Sequence, residues 1–205
     1  MSETSEALPV VDGVSLEAEW AEVRDPRAAA VLCHPHPEYG GTMRSIVIST
    51  LFDALPVAGV TCVRFNFRGV GASSGSFGGG TGEQLDVEAV IGALDLRVPP
   101  ETPLVLMGWS FGADVALSVT ASRVAGWLAI APPLRSGDPN AAGHDPRPKQ
   151  LVLAEHDEIR EPDEIRALTA DWTATTVDVV GGGSHFFVGR TDQVATAATE
   201  FVTRV

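Results

Sequence analysis

Two segments of the chain set a serine between glycines in the pattern Gly-x-Ser-x-Gly: Gly108-Trp109-Ser110-Phe111-Gly112 and Gly71-Ala72-Ser73-Ser74-Gly75. The chemistry such a pattern serves is nucleophilic attack. It needs the serine on a sharp turn from a buried strand into a helix, with small residues on either side so that the strained backbone clears its neighbours. Ser110 has those flanks: Pro103-Leu104-Val105-Leu106-Met107 reads as a strand, and Asp114-Val115-Ala116-Leu117-Ser118-Val119-Thr120 reads as a helix. Ser73 follows Arg68-Gly69-Val70 and runs into Phe77-Gly78-Gly79-Gly80 with no helix behind it, so it reads as a loop serine. In a chain with 21 glycines a second match by chance is no surprise, and Ser110 is the expected nucleophile.

A serine hydroxyl attacks only when a base takes its proton, and the base needs a carboxylate to hold its tautomer and stabilise the imidazolium. A serine on such a strand-to-helix turn resembles that of the α/β-hydrolases, in which the acid follows a late strand and the histidine lies in the loop after the last one. Asp157 stands just beyond the apolar run Leu151-Val152-Leu153-Ala154, with Glu155 and Glu158 as competitors in the same stretch. His185 lies in Gly181-Gly182-Gly183-Ser184-His185-Phe186-Phe187, where glycines let the imidazole reach the serine and the phenylalanines can shield it. Of the five histidines, His144 falls in an irregular loop, and His156 should point away from a site that Asp157 faces. No spacing resembles H-E-x-x-H, so neither a metal nor another cofactor is expected.

Attack on a carbonyl places negative charge on oxygen, which two N–H donors should receive. One is the backbone N–H of Phe111, at the start of the helix after Ser110. The other should come from His34-Pro35-His36-Pro37-Glu38-Tyr39, the loop after the first buried strand. Prolines have no N–H to give, which leaves His34, His36, Glu38 and Tyr39; His36 is the choice and Tyr39 the next.

These residues must be held by an α/β framework, because short β-branched apolar runs alternate with amphipathic stretches in the manner of parallel strands joined by crossover helices. Strands are expected over 14–20 (possible antiparallel edge), 28–33, 60–65, 104–107, 127–130, 150–153 and 175–179. Helices are expected over 44–55, around Val87, Val90, Ile91 and Leu94, directly after Ser110, over 162–168, and from 191 to the C-terminus with Val194, Ala198, Phe201 and Val205 inward. Gly78, Gly79 and Gly80 should make their turn mobile. The Pro- and Gly-rich stretch 132–148 is expected to be a loop or very small cap, too short for a lid domain.

At 205 residues and 44% hydrophobic the chain fits a single domain over 1–205, with 1–12 expected as a flexible tail. A formal charge of −13 argues against nucleic acid or an anionic membrane as partner. The opening MSETSEALPV has no basic start or apolar run, and no later stretch supplies a membrane span, so a cytoplasmic location is expected. Cys33 and Cys62 both fall in apolar runs and read as reduced core thiols.

Taken together, His34-Pro35-His36-Pro37 with Gly40-Gly41-Thr42-Met43, the run from Arg64 through Arg68-Gly69-Val70-Gly71 to Ser73, Gly108-Trp109-Ser110-Phe111-Gly112, and the late Asp157 and His185 are similar to compact, lidless α/β-hydrolases related to dienelactone hydrolases and short-chain carboxylesterases. The resemblance implies an α/β-hydrolase fold, a mostly parallel sheet with helices on both faces and little or no lid. It departs from dienelactone hydrolases in one respect, since they use cysteine where position 110 is serine; lactone specificity is not implied. Arg68 then ties loops together. The implied activity is hydrolysis of small-acyl carboxylic esters through an acyl-enzyme, with Tyr39, Trp109, Phe111 and Phe186 as an apolar wall for the substrate. A thioesterase or small-peptide hydrolase on the same residues, or an inactive scaffold acting as a binding module, are the competing readings. The oligomeric state is open.

Overall fold

The computed structural model describes residues 2–205. Over these residues an eight-stranded sheet runs in the order β1-β2-β4-β3-β5-β6-β7-β8. Its strands are β1 (Ser2–Pro9), β2 (Ser15–Glu22), β3 (Ala28–Cys33), β4 (Val60–Phe65), β5 (Leu104–Trp109), β6 (Val124–Ile130), β7 (Lys149–Ala154) and β8 (Thr175–Val180). β1–β2 and β2–β4 pair antiparallel, and every other neighbour pairs parallel. Helices α1 (Ile46–Val57), α2 (Thr81–Asp95), α3 (Phe111–Ser118), α4 (Asn140–Gly143), α5 (Pro162–Leu168) and α6 (Thr191–Phe201) complete the α/β-hydrolase fold, with no lid.

The central strands are buried on both faces, which is why they read as unbroken apolar runs. Along β3, Ala29, Val31 and Cys33 join one core with Trp127, Phe67 and the inner sides of α2 and α3. Ala28, Ala30 and Leu32 point the other way, into a second core with α1 and α6. Each helix exists because its apolar stripe closes one face: Val87, Val90, Ile91 and Leu94 of α2 on the first, Val194, Ala198 and Phe201 of α6 on the second. Val205 is half-buried against that second core.

Several boundaries differ from the sequence expectation. The segment expected as a tail is strand β1 from Ser2 to Pro9; only Met1 of it lies outside the described residues. Its pairing makes β2 an inner strand instead of an edge. The signal was weak because β1 alternates polar and small residues and gains its partner only through the hairpin at Gly13, where φ is +88°. α1 starts at Ile46 and tolerates Pro56 in its last turn. The missing N–H there leaves the Phe52 carbonyl without its usual partner, and the Cys62 thiol donates to it at 3.9 Å. The turn expected to be mobile is tied down, since Glu83 accepts from the N–H groups of Gly78 and Gly80 at 2.7 Å each. The 132–148 stretch is loop but for the single turn α4.

Strand order reverses at β3: β4 lies on one side and β5 on the other. Open parallel sheets leave a crevice beyond the carboxyl ends of the strands at such a point. Cys33 pairs with Gly108, so the loop that leaves β3 and the turn that leaves β5 emerge side by side.

Candidate active site

Ser110 stands between β5 and α3 with φ +55° and ψ −125°, a region costing a non-glycine residue about 1–3 kcal/mol. The turn is held by Ser110 N–H donating to Ile130 O at 2.8 Å. Its tightness explains both glycines of the motif. A Cβ on Gly108 would lie 2.2 Å from Gly112 O, and one on Gly112 would lie 2.3 Å from Cys33 O. The other copy is different: Ser73 donates its hydroxyl proton to Asn66 O at 2.7 Å and accepts from Glu17 N–H at 2.9 Å, a buried brace between loop and β2.

β7 and β8 are neighbours ending in register at Ala154 and Val180, so the loops after them meet. That brings Asp157 to His185, whose Nδ1 lies 3.0 and 2.9 Å from the two carboxylate oxygens. His185 Nε2 lies 2.9 Å from Ser110 Oγ. All three side chains are buried. Asp157 Oδ1 also accepts from the N–H groups of Ile159 and Arg160 at 2.9 and 3.2 Å, which orients the carboxylate. An imidazole bonded to a carboxylate through one nitrogen and to a hydroxyl through the other can take the hydroxyl proton as the oxygen attacks.

The competing acids have other partners. Glu155 accepts from Gly182 N–H at 2.7 Å and Glu158 from His185 N–H at 3.1 Å. Three acids after β7 therefore grasp the loop after β8, and Asp157 is the one whose carboxylate meets the imidazole. Trp109 supports the same loop, its Nε1–H donating to His185 O at 3.1 Å. His156 and His144 are exposed.

The loop after β3 is rigid for a reason beyond its prolines. His34 is buried, donates from Nδ1 to Pro35 O at 2.6 Å and accepts at Nε2 from Phe67 N–H at 3.0 Å. Burial lowers its pKa to about 4, which keeps it neutral, as accepting that bond requires. Gly41 completes the turn, since a Cβ there would stand 2.1 Å from Pro35 O. Among the proposed oxyanion donors, Tyr39 N–H is committed to His36 O at 3.1 Å and Glu38 N–H to His36 Nδ1 at 3.2 Å. Tyr39 thus drops out as a donor. His36 lines the cleft beside Ser110. Phe111 N–H, at the first position of α3, has no acceptor within the helix.

Ser110 opens into a cleft of about 480 Å³ lined by His36, Tyr39, Ile46, Trp109, Ile159, His185 and Phe186, among others. The expected substrate residues Tyr39, Trp109 and Phe186 are there. Phe111 is a correction: its side chain is buried in the core against Phe67 and Phe77 and does not line the wall. Ile46 and Ile159 were missed. Their signal was exposure of a large apolar side chain just after the β3 loop and just after the acid, which sequence alone does not distinguish from surface scatter.

Arg68 ties loops together as expected, donating to both oxygens of Asp86 and to Asp12. Asp114, expected only as an acid suited to the helix dipole, is buried in the first turn of α3 and accepts from the N–H groups of Leu134, Arg135 and Ser136 at 2.8, 2.8 and 3.0 Å. Burial raises its pKa to about 6 against those donors. Cys33 and Cys62 are both buried thiols outside any disulfide, and burial pushes the Cys33 pKa far up. Among the described residues no group of His, Cys, Asp and Glu is placed to hold a metal, and no helix is long and apolar enough to cross a membrane.

No family model matches the chain. It is 30% identical over 199 residues to an uncharacterized protein of Rickettsia prowazekii, covering 91% of this chain and 84% of that one. Among solved structures, an α/β serine hydrolase homologue from Coxiella burnetii is 30% identical with a TM-score of 0.88, over 98% of this chain and 97% of that one. A lidless α/β serine hydrolase from Xanthomonas campestris is 29% identical with a TM-score of 0.83, over 100% of this chain and 94% of that one.

Proposed function

The chain belongs to the α/β serine hydrolases, and we propose that it is a carboxylesterase-like member cleaving esters of small acyl groups through an acyl-enzyme. The observation that carries the reading is the unbroken line from Asp157 through His185 to Ser110 Oγ, with contacts of 2.9 Å at each end of the imidazole. Within the family, the His34-Pro35-His36-Pro37 segment favours the compact group similar to dienelactone hydrolases and short-chain carboxylesterases, and serine at position 110 favours the carboxylesterases of that group.

In the proposed reaction Ser110 Oγ attacks the ester carbonyl while His185 Nε2 takes its proton, and Asp157 stabilises the resulting imidazolium. The N–H groups of Phe111 and His36 receive the developing oxyanion; loss of one such donor typically costs about 3–4 kcal/mol of transition-state stabilisation. His185 then protonates the departing alcohol. A water attacks the acyl-enzyme by the same route and releases the acid, so no cofactor is required.

A cleft of about 480 Å³ without a lid to enclose a long chain supports the small acyl group. Matched oxygen esters, thioesters and anilides of one acyl group test the reading. Faster turnover of the oxygen ester supports it. Preference for the thioester or anilide, or turnover confined to long-chain lipids, overturns it.

A further inference from the structure

Among the described residues, no Lys, Arg, Asp or Glu lines the cleft around Ser110. Its apolar lining comes from Tyr39, Ile46, Trp109, Ile159 and Phe186, and its polar side chains are the hydroxyls of Ser110 and Ser45 and the imidazoles of His185 and His36. His36 Nδ1 accepts from Glu38 N–H at 3.2 Å, and its ring packs against those of Tyr39, Phe77 and Phe111.

Three arginines flank this wall without lining it. Arg44 pairs with Glu19, Arg160 with Glu164, and Arg135 donates to the Ile159 carbonyl at 3.2 Å. The carboxylates of Asp157 and Glu158 lie beneath the histidine loop, and the three arginines stand outside the lining. The whole chain carries −13. An anion entering the cleft would lose water and find no lysine or arginine in its lining to offset the loss.

Resting on the serine hydrolase reading above, we propose that the cleft selects electrically neutral acyl donors and excludes anionic ones, among them acyl thioesters of phosphorylated carriers and esters bearing a carboxylate beside the reacting carbonyl. Ile46 and Ile159 set this selectivity, because each is a half-exposed apolar side chain standing where a charge-reading site would carry lysine or arginine.

The test compares para-acetylphenyl acetate with para-carboxyphenyl acetate, which differ little in shape. Each kcat/KM is divided by the ester's own hydroxide rate, and fluorophosphonate labelling is run on the same enzyme. The neutral ester is expected to be favoured by about 100-fold or more, and the ratio is expected to persist from about 50 mM to about 1 M salt, since it arises from desolvation inside the cleft. Ile159→Arg or Ile46→Lys should narrow the ratio by about tenfold. Equal rates overturn the proposal. So does a ratio that collapses at high salt, which would assign selectivity to the long-range field, and so does labelled enzyme that leaves the neutral ester uncut. Absence of labelling would overturn the serine hydrolase reading itself.

Discussion

Glu158 accepts the backbone N–H of His185 at 3.1 Å while its neighbour Asp157 holds the ring of the same histidine. Two adjacent residues of one short acidic segment thus fix the position and the tautomer of the imidazole separately. Asp157→Asn is expected to lower kcat by about 10,000-fold, because the amide can bond the wrong tautomer. Glu158→Gln keeps an acceptor for the N–H and should lower kcat by no more than about tenfold. Steady-state kinetics of the two variants check this; equal losses would contradict the division of labour.

The backbone of His36 can be tested without disturbing its conformation, since its φ of −54° is one that proline adopts. His36→Ala removes the imidazole and keeps the N–H; His36→Pro removes both. The proline variant is expected to be slower than the alanine variant by about 100- to 1,000-fold in kcat. Similar rates for the two would remove His36 as the second oxyanion donor.

Ser73 and Gly112 separate scaffold from chemistry in opposite senses. Ser73→Ala deletes a buried brace and should cost about 1–3 kcal/mol of stability with kcat within about twofold of wild type. Gly112→Ala forces a methyl group against Cys33 O and should yield either no folded protein or one with the Ser110 turn displaced and activity lost. Denaturant melts and ester kinetics on each distinguish these outcomes.

His34 and Asp114 make opposing contributions to acid stability. His34 has its pKa lowered from 6.5 to about 4, so the unfolded chain binds the extra proton between those values, and the contribution of His34 is lost as pH falls through that window. Asp114 has its pKa raised from 3.8 to about 6, so the folded chain binds the extra proton, and its contribution is lost as pH rises through the overlapping range. Each amounts to about 3 kcal/mol, and between about pH 4 and 6 they nearly cancel. Asp114→Asn should therefore lose stability on acidification more steeply than wild type. Urea unfolding at a series of pH values checks this; parallel curves would contradict it.

Much of this was legible because the physics was local. Buried parallel strands must be apolar on both faces, so β3, β4 and β7 were visible as runs; the turn at Ser110 must have glycines and a helix behind it, so the nucleophile could be told from Ser73. Ser110 was read from its motif and flanks, and Asp157 and His185 from their places after late strands, with Glu155 and Glu158 left as competitors for the acid. What depended on contacts far apart in sequence was not. β1 is defined by pairing with β2, Glu158 by a bond to a loop 27 residues away, and the Asp114 clamp by the 134–136 backbone. The Phe111 ring was misplaced because a residue beside the nucleophile can face either the cleft or the core, and the cluster with Phe67 and Phe77 decides it.

The most direct test of the central claim is the intact mass of the protein after treatment with a fluorophosphonate, measured on wild type, Ser73→Ala and Ser110→Ala. One adduct on wild type and on Ser73→Ala, with none on Ser110→Ala, is the expected result. An unlabelled wild type, or an adduct that survives Ser110→Ala, would contradict the assignment of Ser110 as the nucleophile.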